Sequence, residues 1–259
     1  MTHRKWIQLP LGLLSAVAGG VTVALTRSQA IASQADAGSK VIFSLGLILV
    51  VLGAVVFIAG LLPPKKTANI RTLTMAAMFA ALCYVGFAFF QIKIPVGDSS
   101  TSFHLGNVFC VLAALCIGGL WGGLAGSVGM TIGDLFDPVY ITSAPKTFLL
   151  KLGIGLITGL IAHKVFHISR DTDRKIPLPV ATVLSCIAGM AFNVVADPLV
   201  GYFYKMYVMG IPQDAATILA KISALTTSVN AVIAVIAATV FYLALRPALK
   251  RTNLLPHID

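Results

Sequence analysis

Glutamate is absent from this chain, and charge of any kind is sparse: Asp, Lys and Arg make up only 11% of its 259 residues. An ordinary soluble domain carries about twice that share of charge, so the soluble class is excluded. Catalytic signatures are missing too. There is no HExxH, no Walker motif and no GxSxG in a strand–turn–helix setting. Outside Asp134 and Asp197, which fall in different hydrophobic runs, the acids are too few for a paired-carboxylate site, so an enzyme is not expected. Cysteine is scarce and never occurs as CxxC. Cys83, Cys110, Cys116 and Cys186 each lie inside an apolar run, where they read as small packing residues rather than metal ligands or disulfide partners. The net charge of +10 does not indicate nucleic acid, because the basic residues sit mostly in short loops with no basic–aromatic surface stretch. No cofactor or metal is called for.

What the chain does have is length in its apolar runs: 58% of its residues are hydrophobic. Runs of this length match the hydrocarbon thickness of a bilayer. The pattern predicts an all-α polytopic membrane protein with spans near 9–26, 41–62, 70–92, 103–119, 121–136, 145–165, 178–201 and 222–245. Pro63-Pro64-Lys65-Lys66 breaks the pattern and divides residues 1–69, a two-helix hairpin and linker, from residues 70–259. Basic clusters at Arg4-Lys5, Lys65-Lys66, Arg170 to Lys175 and Arg246 to Arg251 fall on one side. Single residues such as Lys40, Lys93 and Lys205 fall on the other. The positive-inside rule then puts both termini in the cytoplasm of a multi-pass cell-membrane protein. Arg4-Lys5, the apolar run after it and the small residues near Ser28 also fit a secretory signal peptide, which leaves the later spans oriented as before.

Polar residues inside apolar runs are expensive and tend to be kept for a ligand, an ion path or a partner. His104 and Asn107 are three apart, which predicts one face at the start of a helix, after a polar external loop over 95–102. Gly122, Gly126, Gly129 and Gly133 form a smooth stripe suited to close helix approach. Ser127, Thr131 and Asp134 form a polar stripe beside it, with capping of the Asp137-Pro138 turn as the alternative role for Asp134. Thr147 and Lys151 lie one turn apart after Pro145. Lys151 either snorkels or, with Lys146 already at the surface, points into a pocket. Ser185, Gly189, Asn193 and Asp197 recur every four residues, and Ser223, Thr227 and Asn230 line one face of the last span. The expected substrate-binding set is therefore His104, Asn107, Asp134, Thr147, Lys151, Asn193, Asp197 and Asn230. Phe103, Tyr140, Tyr202 and Phe203 either stack on a ligand or anchor at the interface.

Met75 to Ala81 contains two overlapping AxxxA patterns, Ala76/Ala80 and Ala77/Ala81. Together with the FHLGNVFCVLAAL, GLWGGLAGSVGMTIGDL and APKTFLLKLGIGLITGL runs, this resembles the substrate-binding S component of energy-coupling factor (ECF) transporters, over about Arg71 to Arg251. The resemblance implies a six-helix bundle that captures a vitamin or vitamin precursor near the outer surface. It further implies docking of Ala76, Ala77, Ala80 and Ala81 on a transmembrane coupling subunit, with two cytoplasmic ATPase subunits hydrolysing ATP. Among ligands it favours pyridoxine-like or hydroxymethylpyrimidine-like compounds. The N-terminal hairpin is an addition to that pattern. Two other functions stay open: an ion-coupled secondary carrier of a small polar solute with Asp134 or Asp197 as its ion site, and a non-transporting membrane scaffold.

Overall fold

The computed structural model describes residues 14–23, 42, 45–46, 70–96, 99–169 and 176–252. Most of the expected hairpin at 9–26 and 41–62, and the Pro63 to Lys66 junction, lie outside the described residues. From residue 70 onward six helices follow: α1 (Ile70–Ala88), α2 (Gly106–Ile117), α3 (Gly119–Phe136), α4 (Ala144–Gly159), α5 (Leu178–Phe203) and α6 (Gln213–Arg251). Wider π-helical turns extend α4 over Leu160–Val165 and α5 over Tyr204–Val208. Among the described residues, four segments are long and apolar enough to cross a membrane: Ile70–Ala88, Ile141–Val165, Leu178–Val208 and Gln213–Arg251. The all-α polytopic class holds.

The departures lie at helix boundaries. The span expected over 70–92 ends its helix at Ala88, and the one over 103–119 begins its helix only at Gly106. Between them the chain forms an antiparallel hairpin, β1 (Gln91–Val96) with β2 (Ser99–His104), pairing Gln91 with His104 and Ile94 with Thr101. Alternation of Ile92, Ile94 and Val96 with other residues, and the Ser/Thr-rich partner segment, suit an extended backbone. The apolar residues of β1 had merged with the preceding run. His104 therefore ends a strand, and the helical i, i+3 relation to Asn107 does not apply. At the other end of α2, Gly118 has φ 86° and returns its N–H to the Ala114 carbonyl, which stops the helix and turns the chain into α3.

The chain divides into two compact units. The larger comprises Ala68–Gly133, Lys146–Tyr207 and Ile211–Asp259. Within it α5 packs along α6, α2 lies against both α1 and α6, and the hairpin rests on α6. Glycine makes the closest of these approaches possible. A Cβ on Gly122 would strike the Ala114 backbone, on Gly126 the Cys110 sulfur, on Gly129 the Ala80 carbonyl and on Gly133 the Phe87 ring. The stripe read in the sequence is thus the face α3 turns to α2 and α1. A second contact sets Gly155 and Gly159 of α4 directly on the backbone of Gly123 and Gly119. All four cysteines are buried and free, as packing residues should be. The smaller unit includes Asp134–Pro145. There the Asp137 N–H donates to the Asp134 carbonyl at 3.2 Å, and the Asp137 carboxylate accepts the Val139 N–H at 3.1 Å. The carboxylate that caps this turn is Asp137's.

Because Gly155 meets backbone rather than a yielding side chain, Gly155→Val is expected to destabilise the protein by about 2 kcal/mol or more. Gly20→Ala, with nothing near its added methyl, is expected to be neutral. Thermal unfolding of both variants in detergent checks the contrast.

Candidate functional site

The start of α2, the first half of α4, the later part of α5 and the middle of α6 come together near the hairpin in the larger unit, and most of the expected polar residues lie there. Asn107 opens α2 and is 1% exposed, and its Oδ1 accepts a hydrogen bond from Lys151 Nζ of α4 at 2.9 Å. One turn earlier on α4, Lys146 pairs with Asp197 of α5 at 2.9 Å. Lys146 is thus not the surface residue expected: its side chain is only 13% exposed. The second Asp197 oxygen accepts Ser223 Oγ at 2.6 Å and Thr227 Oγ1 at 3.0 Å, both from α6. A carboxylate withdrawn from water needs this kind of compensation, one cation and two hydroxyl donors.

Asn230, one turn beyond Thr227, works differently from its expected role. Its Oδ1 accepts the His104 backbone N–H at 3.1 Å, and its Nδ2 donates to the Ser102 carbonyl at 3.0 Å. The side chain pairs with the edge of β2 as a neighbouring strand would. Thr101 and Thr226 hydroxyls add a 2.8 Å contact alongside. Asn230 is therefore chiefly an anchor for the hairpin. His104 stands edge-on to Phe87, with ring centroids 4.9 Å apart. Burial, followed by the positive charge of Lys151, pushes its imidazole down to about 3, so it is neutral at physiological pH. Asn193, one turn before Asp197 on α5, is 1% exposed and its Oδ1 has no hydrogen-bond partner. Thr147 is half-buried on α4.

Asp134 is buried near the end of α3 and belongs to the smaller unit. Ser127, its neighbour in the polar stripe, binds helices together by donating to the Gly123 and Phe148 carbonyls. Phe203 and Tyr207 are exposed and stacked, a placement that suits an interfacial anchor. Gln91, Thr101, Ser102 and Thr226 join the site only in the structure; the alternation of β1 is the one sequence signal for Gln91. Where α2 and α4 close, His163 holds the Ala114 carbonyl at 3.0 Å and Ser169 Oγ at 2.7 Å.

The paired alanines separate once folded. Ala76 is buried and Ala80 lies over Gly129 of α3, whereas Ala77 and Ala81 are exposed. Of these four, Ala77 and Ala81 present the outward small-residue surface.

The sequence has a counterpart among known families. A family model described as ECF-type riboflavin transporter, S component, matches residues 67–247. The chain belongs to the ECF S-component family. It is a membrane-embedded substrate-capture subunit of the vitamin-uptake type, and the family is one of transporter components rather than enzymes. No curated protein and no solved structure matches the chain. The match takes in α1 to α5 and α6 as far as Pro247, and leaves residues 1–66 and 248–259 outside it.

Removing one member of the ion pair in this S component leaves the other uncompensated. Asp197→Ala is expected to lower stability by about 3 kcal/mol, and Lys146→Met combined with Asp197→Leu to recover most of that loss. Thermal unfolding of the single and double variants measures it. The imidazole of His104 is also expected to show no protonation between pH 5 and 8 in nitrogen-15 NMR, whereas a hydrated histidine titrates near about 6.5.

Proposed function

We propose that this S component captures a neutral heteroaromatic vitamin or vitamin precursor at the outer face of the cell membrane. It delivers that ligand in complex with a transmembrane coupling subunit and two cytoplasmic ATPase subunits. The observation that carries the reading is the polar cluster in the larger unit, drawn from the hairpin and four helices. A few oriented polar groups among apolar walls are the usual make-up of a small-molecule site. The family description names riboflavin, which makes that flavin the first candidate, with pyridoxine and hydroxymethylpyrimidine beside it. All three carry no net charge at neutral pH in their main forms. That suits a site whose carboxylate, Asp197, is already engaged by Lys146, Ser223 and Thr227. The same engagement argues against an ion-coupled carrier built on Asp197, since a transported proton or sodium ion would have to displace three donors. Both termini lie in the cytoplasm in this reading, and Ala77 and Ala81 face the coupling subunit.

Purified protein in nanodiscs, titrated with riboflavin, pyridoxine and hydroxymethylpyrimidine, tests the proposal. One of them is expected to bind with a submicromolar Kd, and Lys151→Met to weaken it about tenfold or more while complex assembly persists. Ala77→Trp with Ala81→Trp should abolish assembly and spare binding. Binding of none of the three overturns the ligand class, and uptake that needs no ATPase overturns the partnership.

A further inference from the structure

Most polar groups in the cluster are satisfied by one another. Lys146 pairs with Asp197, whose other oxygen is held by Ser223 and Thr227. Asn230 is occupied by the hairpin backbone. Three buried polar atoms remain without a hydrogen-bond partner there: Gln91 Oε1, His104 Nδ1 and Asn193 Oδ1. Buried polar atoms normally have partners, so each such atom asks for an explanation.

Two of the three are placed together, and the third lies one turn from Asp197. Gln91 and His104 are directly paired across the hairpin, and residues opposite one another in an antiparallel pair project from the same face. Gln91 Nε2 donates to the Ala88 carbonyl at 3.3 Å. That bond fixes the amide orientation and leaves the oxygen as the unmet atom. His104 is held by Phe87 at its ring and by Asn230 at its backbone, and it lies within electrostatic range of both Lys151 and Asp197. Asn193 is the next residue inward from Asp197 on the same stripe of α5. A neutral imidazole with its proton on Nε2 presents Nδ1 as an acceptor. Gln91 Oε1 and Asn193 Oδ1 can only accept, and His104 Nδ1 joins them in that tautomer.

We infer that Gln91, His104 and Asn193 form an acceptor face that reads N–H or O–H donors on the edge of the captured heterocycle, with Gln91 as a specificity-determining residue. This deepens the reading above and rests on it. It requires a ligand whose ring edge carries donors, such as an imide N–H, an exocyclic amine or a ring hydroxyl.

The test pairs each probe with a donor-blocked counterpart: riboflavin with 3-methylriboflavin, pyridoxine with its 3-O-methyl ether, and hydroxymethylpyrimidine with its dimethylamino analogue. Binding to the wild-type protein in nanodiscs is measured for all six. For whichever parent binds, blocking the donor is expected to weaken binding about tenfold or more, because a buried acceptor is then left unmet. In Gln91→Leu the parent should bind more weakly and the preference for parent over blocked compound should shrink. A purely structural role for Gln91 would weaken both compounds equally. Gln91→Asn, which keeps both the amide oxygen and the amide donor, should retain part of the preference and controls for folding. Equal wild-type affinity for parent and blocked compound overturns the acceptor face while leaving the vitamin-capture reading intact. An undiminished preference in both Gln91→Leu and Asn193→Leu does the same. Failure of every parent to bind overturns both.

Discussion

Asp197 sets the terms for the rest of the larger unit. A carboxylate taken out of water costs several kcal/mol unless every lone pair finds a strong partner. Its partners here come from two other helices, Lys146 on α4 and Ser223 and Thr227 on α6. A slip of one residue along either helix would rotate those donors by about 100° and leave the charge exposed to hydrocarbon. The ion pair is therefore a register device. Once it holds α4, α5 and α6 together, Lys151 falls beside Asn107 and Asn230 falls beside the hairpin.

Such registration needs helices that can approach closely, and glycine supplies this at the contact of α3 with α4. Gly123 lies against Gly155 and Gly119 against Gly159, backbone on backbone. Dispersion and lipid release reward such fit where no hydrophobic effect acts between apolar helices. The two constraints divide the work along the bundle. Small residues bring helices together through much of their length, and ionic and amide contacts fix their relative height near the hairpin. Where α2 and α4 close, His163, bonded to Ala114 and Ser169, and Arg246, donating to the Ile168 carbonyl at 3.0 Å, tie the helix ends to the connecting turn.

Much of this was legible in residue order. The every-four spacing of Ser185, Gly189, Asn193 and Asp197 marks a face whose first three residues are buried, and the run of Ser223, Thr227 and Asn230 marks one whose hydrogen bonds reach α5 and the hairpin. The glycine stripe likewise turned out to be a packing face. What periodicity could not convey was pairing. Nothing in one dimension says that Lys146 meets Asp197 while Lys151 meets Asn107, or that Asn230 spends its amide on backbone. The hairpin escaped because Ile92, Ile94 and Val96 read equally well as the end of an apolar run, and that hid Gln91. Ala76 and Ala77 look alike in sequence, and only three-dimensional packing turns one inward and the other outward.

The anchoring of β2 has one more consequence. Asn230 grips the main chain at Ser102 and His104, and main chain is common to all residues. The hold on the hairpin is therefore indifferent to which side chains β2 carries. Thr101 contributes through its own hydroxyl, but the amide contacts do not depend on it. Attachment and chemical identity are thus separable in this segment. Substitutions along β2 that keep its main chain extended can change the side chains it presents without unseating it from Asn230.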